Sequence, residues 1–236
     1  MCGRYTLRTP AALQQRFSID TMLEEMEPRP RYNIAPTQRA PVVVSDGETR
    51  RLASMRWGLV PSWSPDGKPT ANMINARMEG IAAKPAFRQP LRSRRCIIPA
   101  DGMFEWAKVG KGKQPYYVHF DDDRIFGLAG LYDIWRDGTG GELYSFTIIT
   151  ATPNSIVSPL HDRMAVILAE NAEEAWLDPT ITQTERILPL LTPYPAEGMA
   201  AYPIGMLVNH AEHDSAEIIA PIIVDTQDFA QGSLFA

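Results

Sequence analysis

Short apolar runs alternate with turn-forming residues along the whole chain, and most of the runs are β-branched or aromatic, which predicts strands. Residues 3–7, 41–45, 51–57, 96–99 and 103–106 read this way, as do 116–120, 125–132, 143–150 and 164–168. Asp46-Gly47 is a tight-turn signal between the second and third of these. Helical spacing is rarer: residues 10–17, opening on a proline, then 76–83 and 172–177. The runs Phe146-Thr147-Ile148-Ile149 and Ala165-Val166-Ile167-Leu168 have the continuous apolar character of buried strands. The pattern predicts a strand-dominated α+β fold, a curved, barrel-like antiparallel sheet with flanking helices, in one domain over residues 1–236.

Composition narrows the class. The chain has 236 residues, 44% hydrophobic and 22% charged, enough for one well-formed core. No run of about 18 apolar residues and no basic-then-apolar opening occurs, so no membrane span or secretory signal is expected, and a cytoplasmic location is. Cys2 and Cys96 stand outside any Cys-x-x-Cys pair, which leaves structural zinc and thioredoxin chemistry without ligands and suits a reducing compartment. No metal or cofactor is expected. The net charge of -5 argues against a general nucleic-acid coat, but it hides a segregation. Arg77, Lys84, Arg88, Arg92, Arg94 and Arg95 meet one acid, Glu79, whereas eleven acids and one base, Arg186, lie beyond residue 169. That asymmetry can present a local anion site, or simply a solvated basic face.

Two other clusters have simple readings. Asp121-Asp122-Asp123 lacks the glycine and distal glutamate of a calcium loop and reads as a solvated hairpin turn. His210 and His213 with Asp214 lack a metal-site partner motif and read as loop residues.

Met1-Cys2-Gly3-Arg4 is chemically distinctive, because a small residue at position two generally permits removal of the initiator methionine. An N-terminal cysteine then carries an amine of pKa about 7.7 to 8.0 and a thiol near 8.5 on adjacent carbons. An aldehyde can form a Schiff base with the amine and close onto sulfur as a five-membered thiazolidine. As a residue type alone, Cys2 reads first as a small buried hydrophobe at a strand start. Polar groups also crowd the apolar strand ends in Arg31-Tyr32-Asn33-Ile34-Ala35-Pro36, Trp57-Gly58-Leu59-Val60-Pro61-Ser62-Trp63, Ile74-Asn75-Ala76-Arg77, Asp101-Gly102-Met103-Phe104-Glu105-Trp106 and Leu160-His161-Asp162-Arg163-Met164, the setting of sites more than of cores.

Together these segments, with Arg95-Cys96, Pro99-Ala100-Asp101-Gly102, Thr150 and Val208-Asn209, resemble the SOS-response-associated peptidase family, whose members are abasic-site processing proteins that crosslink covalently to DNA. The resemblance implies that Cys2 supplies amine and thiol, Asn75 holds the amine, Glu105 is a general acid/base and His161 assists protonation at the sugar ring oxygen. It implies single-stranded DNA containing abasic sites as partner, with contacts at Arg4, Asn33, Trp57, Trp63, Arg77, Arg88, Trp106 and Thr150. Lyase activity, slow reversal and autocatalytic loss of Met1 are implied side activities, replication-fork proteins are implied associates, and a monomer is expected. Two positions depart from the family pattern: Ala165 stands where proline usually follows His-Asp-Arg-Met, and Gly80 where a hydroxyl residue is commoner. The alternative class is an N-terminal-cysteine amidohydrolase that does not act on DNA, which needs amide-binding motifs not found in the chain.

Overall fold

The computed structural model describes residues 2–22, 29–68 and 73–223. Met1, whose removal the reading of Cys2 invokes, lies outside them. The strands are β1 (Tyr5–Leu7), β2 (Thr21–Met22), β3 (Arg31–Ile34), β4 (Arg39–Ser45), β5 (Arg50–Trp57), β6 (Asn75–Arg77), β7 (Arg95–Ala100), β8 (Gly102–Val109), β9 (Gly112–Phe120), β10 (Phe126–Arg136), β11 (Glu142–Ala151), β12 (Met164–Ala165) and β13 (Met199–Pro203). The helices are α1 (Leu13–Phe17), α2 (Pro85–Ser93), α3 (Glu170–Leu177) and α4 (Thr184–Ile187).

Five strands close on themselves. β4 pairs antiparallel with β5 and β7, β10 with β7 and β11, and β11 returns to β5 in parallel through Phe146 opposite Trp57. Closure removes two exposed edges, and β6 then pairs in parallel with β11, placing Asn75 opposite Ile148. A second, antiparallel sheet runs β13-β9-β8-β1-β3. The fold is α+β with a barrel-like sheet, as the strand pattern predicts. Among the described residues, no helix is long and apolar enough to cross a membrane.

Alternation along the strands fills the interior. Tyr5, Trp57 and Phe146 are fully buried, with Trp57 stacked on Phe146 at 6.2 Å and meeting Tyr5 edge-on at 5.3 Å. The indole N–H of Trp57 donates to the Ile74 carbonyl, so its polar atom is satisfied inside the core. At the corner between β7 and β8, buried Asp101 accepts from the Thr6 hydroxyl at 2.6 Å, the backbone N–H groups of Arg8 and Thr9, and the Arg8 guanidinium. One carboxylate thereby ties the start of the chain to the second sheet. Gly102 permits this approach: a Cβ there would stand 2.1 Å from the Tyr117 hydroxyl.

Several expected elements are corrected. Residues 76–83 are not a helix: Asn75–Arg77 is captured as a strand by the free edge of β11, and the chain then turns through Gly80 at φ +72°. That left-handed conformation favours glycine. The helix begins later, at Pro85 in the first turn, and α2 buries Ala86, Phe87 and Leu91 while leaving Arg88 and Arg92 outside. Residues 10–17 divide into a 3₁₀ turn at Pro10–Ala12 and α1. Asp121 to Asp123 are exposed but make no hairpin, because β9 and β10 belong to different sheets. The short strands β2, β3, β6 and β13 carry too little periodicity to be read locally.

Candidate active site

The site is assembled by the start of the chain lying along β8. Tyr5 pairs with Met103, and the Phe104 N–H extends the ladder to the Arg4 carbonyl at 3.1 Å. The strand's period of two then sends Met103, Glu105 and Ala107 toward the main core, which contains Cys2, while Phe104 and Trp106 face a second cluster with Tyr117 and Tyr32. From the opposite sheet, the Asn75 side-chain amide donates to the Cys2 carbonyl at 2.9 Å. Cys2, Asn75 and Glu105 thus converge from three separate chain segments, and all three are buried.

Burial governs the electrostatics. The Cys2 thiol is pushed up to about 12, chiefly by desolvation and secondly by the negative charge of Glu105. Glu105 is itself raised from 4.5 to about 7 by burial, with Asp162 adding repulsion. At neutral pH the thiol therefore holds its proton, and Glu105 is poised to give or take one. His161 Nδ1 accepts the Arg163 backbone N–H at 2.9 Å and lies 2.8 Å from an Asp162 carboxylate oxygen. The carboxylate favours the imidazolium, but desolvation outweighs it and lowers the pKa, so the ring is mainly neutral near pH 7. The neutral ring can take up a proton and its imidazolium form can give one, which suits general acid/base work.

Arg163 fixes the loop that carries His161. Its guanidinium forks onto Glu79 with two bonds of 2.8 Å and donates to the Thr150 carbonyl, holding the loop against β6 and β11. The Arg163 side chain is 10% exposed and Glu79 53%, so the pair orients the loop more than it stabilises the fold. Glu79 is held below the usual carboxylate range by that guanidinium. Sequence reading assigned no role to Glu79, Asp162 or Arg163, although the last two lie in the His161-Asp162-Arg163-Met164 segment, whose density of polar groups was the available signal.

The other singled-out residues divide by exposure. Asn75 and Arg77, two apart in β6, point to the same side, so a line runs from the buried Cys2 region to the exposed Arg77 cation. Thr150 stands opposite Arg77 in register, and both its hydroxyl and the Asn75 amide oxygen are buried without a hydrogen-bond partner among the described residues. Two unsatisfied polar atoms at this place leave hydrogen-bonding capacity for a ligand. Arg88 is exposed on α2, and Trp63 is 61% exposed. Trp106 is half-buried, with its indole N–H on the Asn209 side-chain oxygen at 2.8 Å. Arg4 is half-buried and folds back onto the Gly3 carbonyl.

Two of the expected contact residues lie inside the fold. Trp57 presents no face for stacking, because it is fully enclosed between Tyr5 and Phe146. Asn33 is fully buried, and its side-chain nitrogen donates to the Val208, His210 and His213 carbonyls, clamping that loop, while its Oδ1 has no hydrogen-bond partner among the described residues. Asp214 completes the clamp by accepting the Tyr32 and Asn33 backbone N–H groups and pairing with Arg31. The basic stretch is likewise thinned: Arg95 is buried on four carbonyls and Arg94 pairs with Asp133, leaving Arg77, Lys84, Arg88 and Arg92 exposed.

Residues 1–211 match the family described as SOS response associated peptidase (SRAP). The chain is similar to the abasic site processing protein YoqW of Bacillus subtilis (strain 168), 43% identical over 221 residues that cover 93% of this chain and 99% of that protein. It is 34% identical to the abasic site processing protein HMCES of Gallus gallus over 264 residues, covering 94% of this chain and 78% of that one. A crystal structure of a protein from Bacteroides thetaiotaomicron superposes with a TM-score of 0.82 at 31% identity, covering 94% of this chain and 100% of that one.

Proposed function

The chain belongs to the SOS response associated peptidase family, and from that premise we propose that it processes abasic sites in single-stranded DNA by forming a covalent crosslink through Cys2. The observation that carries the reading is the convergence on Cys2 of a positioning amide, Asn75 at 2.9 Å from its carbonyl, and a buried carboxyl, Glu105, poised near neutrality. Abasic site processing is the activity named for the relatives YoqW and HMCES.

Hydrolysis of the Met1–Cys2 peptide frees the Cys2 amine. The imidazolium form of His161 protonates the ring oxygen of the abasic sugar while the C1 hydroxyl gives its proton to Glu105, which opens the ring to the aldehyde. The amine adds to the aldehyde carbon, and loss of one water with proton transfer through Glu105 gives the Schiff base. The thiol then adds across the carbon–nitrogen double bond: a carbon–sulfur bond forms, and the nitrogen gains the proton the thiol gives up. A thiol pushed up to about 12 attacks only with that proton withdrawn, so Glu105, beside it and near its own midpoint at pH 7, is the natural acceptor. The net reaction joins protein and DNA and releases one water. Asn75 and Thr150, each with a buried unsatisfied oxygen, hold the sugar hydroxyls or the newly freed amine, and Arg77, Arg88 and Trp63 bind the flanking strand. The same acid/base pair supports β-elimination from the Schiff base, and Glu105 beside Cys2 supports autocatalytic release of Met1.

Incubation with a single-stranded oligonucleotide carrying one abasic site should give a species that survives denaturing electrophoresis. Cys2→Ala and a chain with a blocked N-terminus should give none. Ammonia release from glutamine without any adduct would instead favour the amidohydrolase class.

A further inference from the structure

On the reading above, we propose that the end of the β8–β9 hairpin is a phosphate-binding arm for the strand flanking the abasic nucleotide, with Lys108 and Lys113 as its contacts and Lys111 at its tip. The register places Lys108 directly opposite Lys113. Like charges directly opposite one another destabilise an antiparallel ladder, so this pair is costly to the fold when no anion lies between them. Residues 107–114 contain no acid, all three lysines are exposed, and none forms an ion pair with a described residue. In a chain of net charge -5 whose exposed arginines often find carboxylates, as Arg51 does at Asp46 and Arg136 at Glu142, three unpaired cations within six residues form a local anion site.

The placement specifies which anion. Lys108 shares the face of β8 that carries Phe104 and Trp106, and Lys113 lies two residues before Pro115, the partner of Trp106, on the opposing strand. The cation pair therefore continues a surface that begins at a half-buried indole. Trp106 is tied through Asn209 to the 3₁₀ turn Met206–Asn209, where Met206 is 54% and Leu207 42% exposed. Apolar and aromatic groups beside a cation pair suit a single strand, with bases on the former and phosphates on the latter. The pair lies on the face of β8 opposite Glu105, yet the charge of Lys113 is still felt at Glu105 and His161, so the end of the hairpin is within electrostatic reach of the site.

The test is equilibrium binding of a single-stranded oligonucleotide that has no abasic site, so that affinity is read apart from crosslinking, at several salt concentrations. For a single strand each phosphate contact contributes about 0.7 to the slope of log affinity against log salt, so Lys108→Gln/Lys113→Gln should flatten it by about 1.4. At 0.1 M salt that is a loss of about 25-fold. The melting temperature of the double variant should be unchanged or higher, because a like-charge pair is removed. A double variant with the wild-type slope and affinity overturns the arm. Wild-type adduct formation with the abasic oligonucleotide is scored in parallel: if it fails while the slope still flattens, the covalent chemistry is rejected and the arm stands.

Discussion

Glu105→Gln isolates the balance of forces in the site. The Glu105 carboxyl is 1% exposed, and burial raises its pKa from 4.5 to about 7. Between those values the folded chain holds a proton that the unfolded chain has released. Stability from this group is therefore greatest at low pH and falls as pH rises through the folded pKa. The interval of about 2.5 pKa units, at ~1.36 kcal/mol each, corresponds to about 3 kcal/mol lost between pH 4 and pH 8. His161 has the opposite sign: its pKa is lowered, so its contribution rises with pH through the ordinary imidazole range. Subtracting the glutamine variant from the wild type removes that and every other common term. Urea unfolding of both proteins at pH 5 and pH 8 should show the wild type losing about 2 to 3 kcal/mol relative to Glu105→Gln across the interval. Parallel pH profiles for the two proteins would refute a buried, proton-holding Glu105, and with it the general acid/base role.

Two tryptophans six positions apart should behave oppositely. Trp57→Ala, which empties the space between Tyr5 and Phe146, should cost about 3–5 kcal/mol of stability, measured by denaturant unfolding. Trp63→Ala should leave the melting temperature nearly unchanged and weaken single-strand binding by about 1–3 kcal/mol. Asn75→Ala deletes the hydrogen bond to the Cys2 carbonyl, worth about 1 kcal/mol, and should slow single-turnover adduct formation by at least ~5-fold with a small change in stability. Arg16→Ala strands Glu173, whose side chain is 5% exposed and receives a two-bonded fork from Arg16, and should lower stability by about 3 kcal/mol without changing the adduct rate at saturating DNA.

Long, apolar strands were legible in the sequence because their pattern is dictated by burial itself: Phe146 to Ile149 are buried in β11, and residues 125–132 fall largely within β10. The stretch after Asn75 was not, because its residues suit a helix and only the edge of β11, dozens of residues later in the chain, makes them a strand. The aromatic and polar residues of the site region show the same limit. Trp57 and Trp63 are the same residue type in one segment, and closure of β5 onto β11 alone decides that the first is core and the second surface. Asn33 reads as a site residue because it is polar among apolar neighbours, yet three carbonyls from a loop more than 170 positions away occupy its amide. The grouping of Cys2 with Asn75 and Glu105 was available from ordered motifs, but the opposition of Lys108 to Lys113 required the hairpin register.

The central claim is a covalent bond between Cys2 and an abasic sugar, and intact mass under denaturing conditions tests it most directly. Untagged protein mixed with a single-stranded oligonucleotide bearing one abasic site should give a mass equal to the chain without Met1 plus the oligonucleotide minus one water, and Cys2→Ala should give no such species. A chain that has lost Met1 yet remains unmodified by the oligonucleotide, or an adduct of the same mass on Cys2→Ala, would contradict it.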